Sequence, residues 1–213
     1  YPGARCDVES LEYSYSFDEA LQQEWEWTER YSGQPEILKY ANHVADRFDL
    51  RKDISFNTRV LSAVFDETTD KWVVESDSGE LVTARFFVMA TGCLSSTNTP
   101  DMDGIGDFRG EVVHTGQWPK EGVDLAGKRV GIIGTGSSAV QAIPVIAQEC
   151  AELTVFQRTA QYTVPARNEK LDPAKVRETK DRYKEFRDEN FAMPAALGAN
   201  LPQSKESVHE ASE

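Results

Sequence analysis

The 213 residues predict an α/β protein. Three observations carry that expectation: apolar residues recur at helical spacing near the start, at period two between residues 54 and 90, and in a strand-turn-helix-strand arrangement around Gly134-Thr-Gly136-Ser-Ser-Ala139. The composition suits a packed core. With 39% hydrophobic and 28% charged residues the chain is neither a disordered polymer nor a collagen-like repeat.

Phe17, Leu21, Trp25 and Thr28 share one helical face, so a first helix is expected over residues 17–30. A second is expected from about Pro35, which suits a first helical turn, with Ile37, Leu38, Ala41, Val44, Ala45 and Phe48 as its buried stripe. His43 lies beside that stripe and reads as a surface histidine rather than a ligand. From Ile54 to Ala90 the period falls to two. Val60, Ser62 and Val64 alternate with Leu61, Ala63 and Phe65, a polar turn spans Asp66 to Asp70, and Lys71-Trp-Val-Val-Glu75 follows, which together read as a β-meander. Ser78-Gly79 marks the next turn. Phe86-Phe-Val-Met-Ala90, closing at Thr91-Gly92, reads as a buried strand that ends over a ligand.

Residues 94–107 are rich in turn formers and read as a loop, and the polar connection between Trp118 and Lys128 puts a domain boundary near residue 120. Arg129-Val-Gly-Ile-Ile133 opens a β-α-β unit whose helix, over 137–149, carries Pro144. Proline removes one N–H and is expected to kink or weaken that helix. Glu152-Leu-Thr-Val-Phe156 supplies the second strand. Asp172-Pro173 reads as the cap and first-turn pair of a charged helix running to about Asn190, with Val176, Tyr183 and Phe186 as its apolar stripe. The last twenty residues are polar and weakly patterned.

Charge and cysteine usage exclude several classes. Twenty-three basic against 36 acidic side chains leave a net charge of −13, which argues against nucleic acid as a partner. No run of apolar residues is long enough to span a membrane and no secretory leader opens the chain, so a cytoplasmic location is the simplest expectation. Cys6, Cys93 and Cys150 are too scattered for a disulfide framework or a zinc site, and no metal is expected. A chain that starts at Tyr1 inside a Pro-Gly turn reads as a fragment.

The sharpest chemical signal is the glycine-rich turn. Gly134 permits a tight turn after Ile133, Gly136 lets backbone approach a pyrophosphate, and Ala139 allows close helix-strand packing, while the helix amides and dipole meet the negative charge. Gln157-Arg158-Thr159 follows the second strand. Arg158, 24 residues beyond Gly134, stands where an acidic residue would bind the 2′-hydroxyl of NAD, and an arginine there accepts the 2′-phosphate of NADP; Thr159 adds a hydroxyl.

Just before this unit, Phe108-Arg-Gly110-Glu-Val-Val-His114-Thr-Gly-Gln-Trp118-Pro119 spells FxGxxxHxxxWP. The string resembles the fingerprint of Baeyer-Villiger monooxygenases, flavoproteins that insert an oxygen atom beside a carbonyl carbon. Tyr1-Pro-Gly-Ala-Arg-Cys-Asp7 with Tyr13-Ser-Tyr15, Ala90-Thr-Gly92, Gly134 to Ala139 and Gln157 to Thr159 also occur in that family's order. The resemblance is greatest to its phenylacetone and cyclohexanone monooxygenase branch.

The resemblance implies a two-dinucleotide-binding-domain flavoprotein in which an FAD domain is interrupted by a Rossmann-like NADP domain, both incomplete here. Residues 1–107 would be a partial FAD domain, 108–122 the fingerprint linker, and 123–213 the first part of the NADP domain with the start of a helical insertion. It implies Asp7 and Tyr13 beside FAD, Val60 against its adenine end, and Arg5 to Asp7 near the nicotinamide. Gly134, Thr135, Gly136, Ser137, Ser138, Ala139, Gln141, Arg158 and Thr159 complete the cofactor-binding set. His114, in a conformational role, and Asp7 form the implied catalytic set. The implied reaction is NADPH reduction of FAD, then transfer of one oxygen atom from O2 to a ketone, giving an ester or lactone.

In that family a first FAD-binding β-α-β unit would precede Tyr1 and a catalytic arginine would follow this stretch, so the chain resembles an internal portion that is expected to be inactive in isolation. Ala160 stands where the family commonly has proline. Two rivals are a flavin monooxygenase acting on nitrogen or sulfur, which the complete fingerprint disfavours, and a noncatalytic NADP-binding module. A flavin disulfide reductase would need a redox CxxC pair, which this sequence does not contain.

Overall fold

In chain order the elements are α1 (Glu19–Glu24), α2 (Gln34–Arg47), β1 (Val60–Asp66), β2 (Lys71–Ser76), β3 (Leu81–Ala84), β4 (Arg129–Ile133), α3 (Ser137–Glu149), β5 (Glu152–Phe156), α4 (Pro173–Asp181) and α5 (Tyr183–Ala192). They come from a computed structural model that describes residues 1–194 and Gly198; most of the weakly patterned final stretch lies outside the described residues. Two units result: Tyr1–Val44 together with Asp124–Glu213, and Ala45–Val123.

In the first unit, α1 starts where Asp18 accepts the Leu21 N–H at 2.6 Å, but it stops at Trp25 instead of running on to residue 30. The cause is tertiary. Arg30 N donates to Glu169 O at 2.9 Å and Leu171 N to Thr28 O at 3.1 Å, so an extended pairing takes the backbone groups that a longer helix would need. Of the expected face, Leu21 is fully buried whereas Phe17 is exposed.

Helix α2 runs as expected but is turned differently. Tyr40 and Val44 are buried, while Leu38 and Ala41 of the expected stripe face solvent. Tyr40 sets this rotation: its ring lies 5.1 Å from those of both Trp25 and Trp27, and its hydroxyl accepts the Tyr15 N–H at 2.9 Å.

Asp172 caps α4 by accepting the Ala174 N–H at 2.8 Å, with Pro173 in the first turn. The single helix expected to Asn190 is broken at Arg182, whose φ of −124° and ψ of 32° are not helical. Different anchors hold the two sides of the break. Before it, Lys180 Nζ reaches Gln23 O at 2.7 Å, Trp25 O at 2.9 Å and Glu26 Oε1 at 2.6 Å. After it, Tyr183 donates to Leu11 O at 2.7 Å, and Arg187 to Glu12 O at 2.7 Å and Ser14 O at 3.0 Å. Val176, Tyr183 and Phe186 are all buried, as the stripe required.

The β-α-β pattern forms as read. Strands β4 and β5 pair in parallel from Arg129 opposite Glu152 to Ile133 opposite Phe156, and α3 crosses between them with Ala142 and Ile146 buried. The helix continues through Pro144 as one element rather than breaking there.

The second unit holds the meander. β1, β2 and β3 pair antiparallel in that order, and the Trp72 ring sits 5.4 Å from Phe65 and 5.6 Å from Phe87. Residues 86–90 do not form the expected strand. A strand needs a neighbour for its N–H and C=O groups; among the described residues none pairs with this run, and Phe86, Val88 and Met89 are exposed.

Candidate dinucleotide site

The glycine-rich turn joins β4 to α3 in the first unit. Gly134 adopts φ +102°, a conformation strained for any residue with a Cβ, and its N–H donates to Phe156 O at 2.9 Å, closing the turn onto β5. Gly136 is the N-cap of the 13-residue α3 and brings no side-chain cap, in contrast to Asp18 on α1 and Asp172 on α4. A Cβ at Gly134 or Gly136 would meet nothing within 4 Å, so the space above the turn is open. The first-turn N–H groups, beside the hydroxyls of Ser137 and Ser138, thus lack an acceptor side chain at the positive end of a helix dipole.

Gln157, Arg158 and Thr159 leave the end of β5 exposed to solvent. Gln157 Nε2 donates to Thr135 Oγ1 at 2.8 Å, which ties this segment to the glycine-rich turn. Arg158 forms no ion pair among the described residues.

The Arg5–Asp7 segment alternates outward, inward, outward. Cys6 is buried, its N–H donates to Ser32 O at 3.0 Å, and burial pushes its thiol above the ordinary range. Ser32 is itself fixed, because its N–H donates to Ser10 Oγ at 2.9 Å and its hydroxyl to Glu36 Oε2 at 2.6 Å. Arg5 and Asp7 face solvent. The Arg5 guanidinium donates to Tyr31 O at 3.1 Å and to Glu29 Oε2 at 3.3 Å, and Asn168 braces the same carboxylate at 2.6 Å. The Tyr13 ring is exposed as well.

Gln141 stands on α3 with its amide engaged by the chain's opening segment: Nε2 donates to Arg5 O at 3.1 Å, and Oε1 accepts from Tyr1 Oη at 2.8 Å. Sequence reading grouped Gln141 with the cofactor ligands; the structure places it against protein backbone. Glu29 and Asn168, which hold Arg5, carried no signal in the sequence, being separated from each other by 139 positions.

The fingerprint residues lie in the second unit. The Phe108 ring folds over Gly110, where a Cβ would lie 2.5 Å from the ring. His114 Nδ1 accepts the Gly116 N–H at 3.0 Å, and Gln117 N donates to His114 O at 2.8 Å, making His114 the cap of a single helical turn over Thr115–Gln117. With Nδ1 as acceptor, the proton of the neutral ring sits on Nε2. Val60 is half exposed on an apolar concavity of about 340 Å³ that Val74, Val82, Ala84 and Phe87 also line. The first unit therefore collects Arg5, Asp7, Tyr13, the glycine-rich turn, Gln141, Arg158 and Thr159, while Val60 and His114 belong to the second.

A strand, an open glycine turn, an uncapped helix and a returning parallel strand are the parts of a dinucleotide-binding unit, and residues 11–198 match the family model described as pyridine nucleotide-disulphide oxidoreductase. The chain belongs to this family. Within it, the chain is 48% identical over 222 aligned positions to a Baeyer-Villiger monooxygenase of Pseudooceanicola batsensis, an alignment that takes in 99% of this chain and 40% of that enzyme. It is 47% identical over 188 residues to the phenazine N-monooxygenase PhzNO1 of Lysobacter antibioticus, covering 88% of this chain and 35% of the relative. Among solved structures, oxidized steroid monooxygenase bound to NADP matches with a TM-score of 0.90 and 54% identity over the whole chain, again 40% of that protein. The resemblance to Baeyer-Villiger monooxygenases is borne out, and the chain spans about two fifths of the length of these relatives. The three cysteines of these 213 residues, Cys6, Cys93 and Cys150, form no CxxC pair.

Proposed function

We propose that this chain supplies the nicotinamide-facing part of an FAD- and NADPH-dependent Baeyer-Villiger monooxygenase, which transfers one oxygen atom of O2 to a small ketone and yields an ester or lactone. The observation that carries this reading is the complete FxGxxxHxxxWP string on a chain whose glycine-rich turn is followed by Arg158 rather than an acidic residue.

The residues present fit both cofactors. Open space over Gly134 and Gly136 and the uncapped N–H groups of α3 suit a pyrophosphate, and the exposed Arg158 with Thr159 suits a 2′-phosphate. Gly134, Thr135, Gly136, Ser137, Ser138 and Ala139 would hold NADP, with Arg5 toward its nicotinamide end. The Asp7 carboxylate and Tyr13 phenol, both exposed in the first unit, suit FAD hydroxyls. When bound, NADPH supplies the hydride and FAD the redox chemistry with O2.

The protein's share is positional. Gln157 holds Thr135 and so keeps the phosphate-facing turn in register with Arg158. Glu29 and Tyr31 O hold the Arg5 guanidinium in place. His114 orders the linker turn by taking the Gly116 N–H, which is a conformational role rather than that of a base. In this reading residues 1–107 and 123–213 serve the FAD and NADP domains, with 108–122 between them. We also place the enzyme in the cytoplasm without a nucleic-acid partner; the net charge of −13 and the absence of a helix able to cross a membrane among the described residues support this.

Nitrogen oxygenation is the second reading, favoured by the identity to a phenazine N-monooxygenase. Product analysis separates the two. The FAD-loaded enzyme carrying this chain is incubated with NADPH, ¹⁸O₂, cyclic and linear ketones, and phenazine. An ester or lactone with one ¹⁸O is expected; an N-oxide without any ester would replace the proposal by the second reading.

A further inference from the structure

Arg5 pairs with Gly33 in an isolated antiparallel bridge whose hydrogen bonds are made by the flanking residues, Cys6 N to Ser32 O at 3.0 Å and Gln34 N to Ala4 O at 2.8 Å. In such a bridge the central residue's own N–H and C=O point away from the partner strand. Both groups of Arg5 meet one side chain on the other side. Gln141 Nε2 donates to Arg5 O at 3.1 Å, and Arg5 N donates to Gln141 Oε1 at 3.4 Å. A primary amide presents a donor and an acceptor in one plane, as a peptide group does, so Gln141 stands in for a third strand.

The contact is close along its length. Tyr1 Oη donates to the same Oε1 at 2.8 Å, and Gly3, at φ +74°, lies so near that a Cβ would collide with the backbone carbonyl oxygen of Gln141. Gln141 follows Gly136 by five residues on the helix that begins at the glycine-rich turn. Arg5 is held at its far end by Glu29 and Tyr31, and the buried Cys6 fixes the next residue, while among the described residues the side-chain hydrogen bonds from α3 to this segment are those of Gln141.

We propose that Gln141 is a positioning residue: by taking both backbone groups of Arg5 it ties the Arg5–Asp7 segment to α3, so that dinucleotide binding at the start of α3 sets the position of the Arg5 and Asp7 side chains. This rests on the function proposed above. Gln141→Met removes the donor and the acceptor, and Gln141→Glu keeps the acceptor alone; the second variant carries the test where the first does not fold.

The FAD-loaded enzyme is examined by NADP+ titration, by hydrogen exchange with and without NADP+, and by stopped-flow reduction with NADPH. In the wild type NADP+ slows exchange in residues 4–6. The variants bind NADP+ within about threefold of wild type but lose that protection, and their flavin is reduced about tenfold more slowly, because a small misplacement costs rate more than affinity. A merely structural glutamine would lower thermal stability without moving the protection or the reduction rate. A folded variant with wild-type protection and wild-type reduction overturns the proposal. Failure of the wild type to bind NADP+ overturns the function proposed above and the coupling with it, and the titration reports that separately.

Discussion

In the proposed function, Arg158 is the residue whose charge would separate NADPH from NADH. It is exposed and has no acidic neighbour paired to it among the described residues, so a 2′-phosphate would be its first strong partner. A charge-assisted hydrogen bond typically contributes about 1.5 to 3 kcal/mol. Arg158→Ala is therefore expected to weaken NADPH by roughly ten- to a hundredfold and leave NADH unchanged, as measured by titration of each cofactor. Equal losses for both would remove Arg158 from the phosphate site. The place of Arg158 just after β5 was legible in the sequence because its spacing from Gly134 lies within one β-α-β unit. The restraints on Arg5 were not, since Glu29 and Asn168 come from distant parts of the chain and share no local pattern.

At the scale of an element, the β1-β2 hairpin and the His114 turn show how little sequence a connection needs. Asp66 closes the hairpin by accepting the Thr68 hydroxyl at 2.6 Å, the Thr68 N–H at 2.9 Å and the Thr69 hydroxyl at 2.9 Å. These bonds, the Thr68 hydroxyl foremost, hold its carboxyl below the ordinary aspartate range. A depressed folded-state pKa stabilises fully above the unfolded-state range and loses that contribution as pH falls through the folded-state value. Urea unfolding of wild type and Asp66→Asn should thus differ most at neutral pH and converge in acid; a gap independent of pH would remove the carboxylate from the turn. His114→Ala removes the Gly116 cap. In the FAD-loaded enzyme we expect slower flavin reduction and less product with FAD retained, measured by stopped-flow absorbance and product yield. Wild-type values for both would leave His114 an ordinary loop histidine, and loss of FAD would move it to the flavin site.

At the scale of the whole molecule, the first unit is assembled from the two ends of the described chain, and Lys180 is one of its staples. The Lys180 side chain is only 8% exposed, and its ammonium satisfies Gln23 O and Trp25 O, whereas Glu26, 70% exposed, contributes little as an ion partner. Gln23 Nε2 returns a bond to Lys180 O at 2.7 Å. Lys180→Met keeps the volume and leaves two carbonyls without their donor, so a loss of about 2 kcal/mol is expected in chemical denaturation. A loss below about 0.5 kcal/mol would place Lys180 among ordinary surface lysines.

The sequence alone determined the β1-β2 hairpin, the β-α-β unit, the cap at Asp172 and the position of Arg158, but not the third strand at Leu81–Ala84. Each depends on periodicity, turn residues or a cap within a few tens of residues, where local sterics and hydrogen bonding decide the outcome. Only the tertiary structure decided that α1 ends at Trp25, that Tyr40 rather than Leu38 turns inward, that the charged helix breaks at Arg182, and that residues 86–90 stay out of a sheet. It also decided that the Gln141 amide serves Arg5, 136 positions away, rather than standing open to a ligand. In each case a backbone or side-chain polar group found its partner from a distant part of the chain or found none, and hydrogen-bond satisfaction at long range overrides a local preference of a few tenths of a kcal/mol per residue, on the order of helix propensity.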